Sequence, residues 1–157
     1  MNWGKIMEQS RKNLKNASVI VLALAVLSLL NILFELFFGE LSGELNNATV
    51  PEGAPVNVAL IARIFILAVS VLMLLPQAYI GIKGLKIAKK PDASKGHIVW
   101  GIILVVFTAA DLIPPLVSFL QGNGDAFADV SEFLSIAVDV AVLVGYVRFA
   151  MNVRKGV

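Results

Sequence analysis

The chain has no cysteine, a single histidine and only 15% charged residues. Without thiols there is no disulfide framework, no thiolate metal site, no iron–sulfur cluster and no cysteine nucleophile. With His97 as the sole imidazole, a histidine-based zinc or haem site within one chain is not expected either. Serine, histidine and aspartate fall into no triad, and no phosphate-handling motif occurs. The residues therefore point away from an enzyme, and no cofactor is expected.

What the chain has instead is apolar length. Of its 157 residues 58% are hydrophobic, with a mean hydropathy of +0.84, against roughly 45–50% apolar residues in ordinary soluble domains. Four stretches reach the ~20 residues that an α-helix needs to cross a bilayer core: 17–38, 58–82, 97–120 and 129–151. The first is too long for the apolar part of a signal peptide, and no small-residue cleavage site follows Phe38, so it reads as a retained helix. The expected fold class is all-α: a polytopic membrane protein, an antiparallel four-transmembrane-helix bundle forming one transmembrane domain over 1–157, with a short amphipathic N-terminal segment. Compact loops and the missing cysteine are of a bacterial style.

Charge gives the orientation. Lys5, Arg11, Lys12 and Lys15 precede the first stretch; Lys83, Lys86, Lys89, Lys90 and Lys95 surround the loop 83–96; Arg148, Arg154 and Lys155 close the chain. Every basic residue except Arg63 thus falls on one side. The loops 39–57 and 121–128 carry only acids, among them Glu40, Glu44, Glu52 and Asp125. The positive-inside rule puts both termini, the loop 83–96 and the tail 152–157 in the cytoplasm of a multi-pass cell-membrane protein. Anionic lipid at this basic face is the expected partner, and the lysines need no nucleic acid to explain them.

Residues 1–16 carry Trp3, Ile6, Met7 and Leu14 at helical spacing among basic residues. This fits either a helix lying on the inner membrane surface or a plain extension of the first span. The loop 39–57, with Pro51-Glu52-Gly53-Ala54-Pro55, reads as irregular. It contains a short glycosylation match, Asn47-Ala48-Thr49, of a kind frequent by chance. Pro91 should end the second helix, and Asp92 or Ser94 should start the third.

Ionisable residues within apolar spans are costly and require an explanation. Glu35, Arg63, Asp111 and Asp139 are such residues, and each sits on a polar stripe. The stripes run Ser28, Asn31, Glu35; then Arg63, Ser70, Gln77; then Thr108, Asp111, with Ser118 further out; then Glu132, Ser135, Asp139, Tyr146. Four stripes on four helices predict that they face one another inside the bundle. Three carboxylates beside one guanidinium would leave a net charge of −2 if all were ionised, which is relieved by protonation or by a bound cation. The sharp expectation is a proton or cation site on Asp111 and Asp139, with Glu35 paired to Arg63 and Asn31, Ser70, Thr108 and Ser135 around them. The bland one is interhelical glue, since polar contacts in membranes contribute about 0.6–2 kcal/mol each.

Pro114 and Pro115 have no N–H to offer the carbonyls of Ala110 and Asp111, so the third helix should kink or end there; Pro76 does the same to Leu72. Gly81, Gly84, Gly101 and Gly145 predict close helix packing in the cytoplasmic half, leaving the outer half wider. Trp3, Tyr79, Trp100 and Tyr146 read as interfacial belt residues, and His97 as a headgroup-level anchor. The expected function is a carrier or channel-like protein for a small cation, proton-coupled solute or amphiphile. Four helices enclose little room, so passage calls for a homo-oligomer. The alternative is a non-transporting scaffold or accessory subunit, attached to a membrane-protein partner, whose polar seam is structural.

Overall fold

The computed structural model describes residues 3–39, 58–92, 94–122 and 126–156. Among them are helices α1 (Trp3–Phe37), α2 (Val58–Lys89), α3 (Gly96–Ala110), α4 (Ile113–Gln121) and α5 (Ala126–Lys155), and no strand. Taking α3 with α4, these make four helical segments long and apolar enough to cross a membrane. Residues 40–57, with the Asn47-Ala48-Thr49 match and the proline-rich stretch, and Asp125 lie outside the described residues.

The helices are longer than the apolar runs that announced them. No proline or glycine occurs between residues 5 and 37, so α1 continues unbroken from its polar beginning into its apolar part. The segment 1–16, as far as it is described, is therefore an extension of the first apolar helix, with Ser10 and Leu14 buried. At the other end of α1, the amides of Phe38 and Gly39 both donate to the Phe34 carbonyl, at 2.7 and 3.1 Å.

Proline acts differently at its two sites. Pro76 is absorbed inside α2, which runs on to Lys89. At Pro114 and Pro115 the helix ends: α3 stops at Ala110, Asp111 and Leu112 form a turn, and α4 begins at Ile113. Two consecutive residues without N–H groups remove two successive helical bonds, whereas one removes a single bond.

The chain forms two compact units, Met1–Leu22 with Pro76–Val157, and Ala23–Leu75. In the first, the buried core includes Leu14, Val21, Ile80, Ile87, Ile98, Leu143 and Tyr146, with Val21 at the middle of α1 and the others in the part of their helices nearer the basic end. Glycines make this core possible. A Cβ on Gly84 would lie 2.6 Å from Cε2 of Tyr146 and collide with Oγ of Ser18. One on Gly81 would sit 2.6 Å from Cγ of Leu22, and one on Gly101 would sit 2.8 Å from Cγ2 of Val147. Three of the four expected glycines thus mark places where α1, α3 and α5 components or their neighbours on α2 come into close approach. Gly145 is the exception: a Cβ there meets only Phe149 of its own helix, at 3.8 Å.

The basic end is tied together by its charges. Arg11 of α1 donates from Nε to the Ala88 carbonyl at 3.2 Å and from Nη2 to the Lys89 carbonyl at 2.9 Å. These are carbonyls of the last turn of α2, which no further helical amide can satisfy. Lys86 and Lys89 in that turn, and Arg154 and Lys155 in the last turn of α5, also complement the negative ends of their helices. Neither Asp92 nor Ser94 caps α3; the cap position is Lys95, without a side-chain bond. Asp92 instead closes the hairpin, accepting from Nζ of Lys83 at 3.0 Å and from the Ser94 amide at 2.9 Å.

Two outcomes are expected. Gly84→Ala should destabilise the protein by about 1–3 kcal/mol through overpacking, while Gly145→Ala should leave stability unchanged or slightly higher; unfolding curves in detergent decide between them. The Lys83 hydrogen bond, followed by that of the Ser94 amide, holds the Asp92 carboxyl below its ordinary value of 3.8. Its contribution is complete above pH 3.8 and is lost as pH falls through the lower folded value. Amide exchange at Ser94 should accordingly stay protected at neutral pH and become fast in Asp92→Ala.

Candidate functional site

The expected site residues divide between the two units. Thr108, Asp111, Ser135 and Asp139 belong to the first, and Asn31, Glu35, Arg63 and Ser70 to the second. None of the eight lies in the buried core: Asn31, Asp111 and Ser135 are exposed, and the others are half-buried.

In the first unit α5 packs along both α3 and α4, spanning the break between them. The break defines the local chemistry. The Asp111 amide still donates to the Phe107 carbonyl at 3.3 Å, and that of Leu112 reaches back to Ala109 at 3.2 Å. The carbonyls of Ala110 and Asp111, however, face residues 114 and 115, which have no N–H. Two carbonyl oxygens and the Asp111 carboxylate therefore gather at one turn, all acceptors. Thr108 lies one helical turn before them, half-buried.

The stripe on α5 changes character along its length. Glu132 and Ser135 are exposed, Asp139 is half-buried, and Tyr146 is fully buried at 0%. At the buried end the Tyr146 hydroxyl donates to the Ile80 carbonyl at 2.8 Å. Ser18, also fully buried, donates its hydroxyl proton to the Leu14 carbonyl of its own helix at 2.7 Å. Beside them His97 is 1% exposed, its ring edge-on to Tyr146 with centroids 6.4 Å apart. Neither ring nitrogen of His97 has a hydrogen-bond partner.

Two interfacial assignments are thereby corrected. Tyr146 and His97 are core residues, Tyr146 occupying the space at Gly84 and Gly101 and His97 packing edge-on to its ring; Tyr79 and Trp100 are exposed, as belt residues would be. The side chain of Trp3 lies outside what the structure describes.

In the second unit Glu35 occupies the last turn of α1. The missing side chain of Gly39 leaves room for its carboxylate, which a Cβ there would strike. The Arg63 guanidinium lies over the Phe37 ring, 5.9 Å from its centroid, a cation–π contact. Among the described residues no three His, Asp or Glu side chains converge as a metal-binding group would.

One residue escaped notice in the sequence. Asp129 seemed only to mark the start of the last apolar run, yet one of its carboxylate oxygens is buried without a hydrogen-bond partner, beside an apolar cavity. The signal available was an acid followed at helical spacing by Val130 and Phe133. No family model, no curated protein and no solved structure matches the chain.

The junction gives a direct test. Tyr146→Phe keeps the ring and deletes the bond to Ile80, so it should cost about 1 kcal/mol, read as a lower unfolding midpoint in detergent with helical content unchanged.

Proposed function

We propose that this chain is a carrier or channel-like protein of the cell membrane, passing a small cation or a proton-coupled solute along its acidic stripe. The observation that carries this reading is the gradient on α5, from exposed Glu132 and Ser135, through half-buried Asp139, to Tyr146 sealed in the core. Polar groups left on the surface of an apolar span are too costly to face lipid. They suit a water-filled pathway, completed where copies of the chain meet. The acceptor-rich turn at Asp111 lends itself to cations, as broken helices do elsewhere.

Membrane insertion is supported by the exposed apolar surface of α2, where Leu60, Ile64, Phe65, Leu72, Met73 and Leu75 all lie open. With Lys and Arg at the cytoplasmic face, both termini would be inside and anionic lipid would gather there. Glu35 paired with Arg63 would neutralise one carboxylate, leaving Asp111 and Asp139 as the pair that takes a proton or a cation. Tyr146 and Gly84 then form the closed inner end of the pathway.

Reconstituted proteoliposomes test this. Asp139→Asn and Asp111→Asn should each cut proton or monovalent-cation flux by about tenfold or more, a barrier change of about 1.4 kcal/mol, without altering the unfolding midpoint greatly. Flux equal to that of protein-free vesicles in the wild type would instead leave a non-transporting scaffold or accessory subunit, with a stripe that only sets helix register.

A further inference from the structure

At its basic end the first unit holds a cavity, placed where the buried core gives out. The beginning of α1 meets the last turn of α5 here, and Met7 stands so close to Gly156 that a Cβ on that glycine would strike it. The space beside this contact is about 330 Å³, lined by Gly4, Ile6, Met7 and Ser10 from α1 and by Asn152 and Lys155 from α5, with Gly156 closing one wall. Ile6 and Met7 give it an apolar side. Ser10, Asn152 and Lys155 give it a polar one.

The polar side is a set of donors. Ser10 is only 6% exposed, and among the described residues its hydroxyl has no hydrogen-bond partner. That hydroxyl is not sealed in protein, because Ser10 borders the cavity. Asn152 adds a side-chain amide, and Lys155 is the one charged side chain in the lining. No acid borders the space; Glu8, beside Met7 in sequence, is exposed and lies outside the lining. The first amides of α1, Gly4 among them, have no helical acceptor and mark the positive end of that helix, with no acid in its first turn. The opposing field from the end of α5 is reduced, since the Val153 carbonyl already accepts from the Gly156 amide at 3.3 Å. A ligand with an apolar body and one negative acceptor group fits both sides of the cavity.

We infer that this cavity binds a small organic carboxylate, a monoanion on a single ring or short hydrocarbon chain. The Lys155 ammonium pairs with the carboxylate, and the Ser10 hydroxyl and Asn152 amide donate to its oxygens. Hydrogen bonds to an ionised acceptor are the stronger kind. The body rests against Ile6 and Met7. One lysine answers one negative charge, so a dianion is left half-compensated, and a cation is repelled. The cavity is at the small end of the roughly 300–1,000 Å³ of ligand pockets, so one ring fits and a larger scaffold does not. Residues 4–10 precede the apolar run of α1, so the ligand arrives from water and not from lipid. The site involves neither Asp111 nor Asp139, and binding here stands whether or not the chain transports anything.

The test uses the full chain in phosphatidylcholine nanodiscs, with 4-fluorophenylacetate as the probe and 4-fluorophenylacetamide as its uncharged match, both followed by ¹⁹F NMR. Saturable binding of the carboxylate is expected, with the amide at least about tenfold weaker. Lys155→Gln should weaken the carboxylate by about tenfold. Ser10→Ala, which deletes only a hydroxyl, should weaken it by about fivefold and serves if the Lys155 variant does not fold. Lys12→Gln removes the same charge from the same end of the protein but leaves the lining intact, and should change the affinity by less than about twofold. Equal uptake of carboxylate and amide by loaded and empty nanodiscs would overturn the proposal. So would a loss in Lys12→Gln as large as that in Lys155→Gln, which would mean attraction to the basic end as a whole, or binding that Ser10→Ala leaves intact.

Discussion

The Tyr146 hydroxyl reaches the carbonyl of Ile80 only because residue 84 has no side chain. The contact joins α5 to α2, and Ser18 brings α1 to the same glycine. Gly101 extends the arrangement to α3, whose Cα at that position lies under Tyr146 and Val147. Lipid tails are as apolar as leucine, so burying apolar surface among helices offers little advantage inside a membrane. In a membrane, close packing and hydrogen bonds would therefore have to supply the cohesion. A large ring with one hydroxyl, set among glycines, supplies both.

The remainder of the first unit follows from where this junction sits. It lies toward the basic end, together with Leu14, Ile87, Ala150 and Val153 of the core and the Arg11 cap on α2. Toward the other end the prolines break the helix at Asp111, and the stripe on α5 comes to the surface at Ser135 and Glu132. Cohesion is concentrated where the chain has glycine, and polar groups are exposed where it has proline and acid. On the carrier or channel reading proposed above, this distribution would hold one end shut while admitting water or ions from the other.

Much of the fold was legible because it depends on local covalent facts. Apolar runs, the missing N–H groups of Pro114 and Pro115, and the small volumes of Gly81, Gly84 and Gly101 act the same way in any context. Helix ends were less legible: α2 and α5 run past their apolar runs to Lys89 and Lys155, because polar helix formers continue a helix as well as apolar ones do. The direction in which a side chain turns was hidden. Tyr146 and His97 read as belt residues in the sequence, but Gly84 and Gly101 give the Tyr146 ring room inside and His97 packs edge-on to it. Gly145 failed as a packing site for the same reason, since its face of α5 meets no close neighbour. Asp129 was overlooked because its significance lies in α4, which approaches it only after the chain reverses at Gly122.

The account rests on the stripe of α5 being open to water at one end and sealed at the other, and the chain's lack of cysteine allows this to be probed without background. Single cysteines would replace Glu132, Ser135, Asp139 and Tyr146 in folded protein, and labelling by a membrane-impermeant thiol reagent would be measured at each from both sides of the bilayer. The account predicts fast labelling at 132 and 135 from the side opposite the basic termini, slower labelling at 139, and none at 146. Labelling at none of the four, while a cysteine at the exposed turn residue Gly122 reacts normally, would mean a dry stripe and would contradict it.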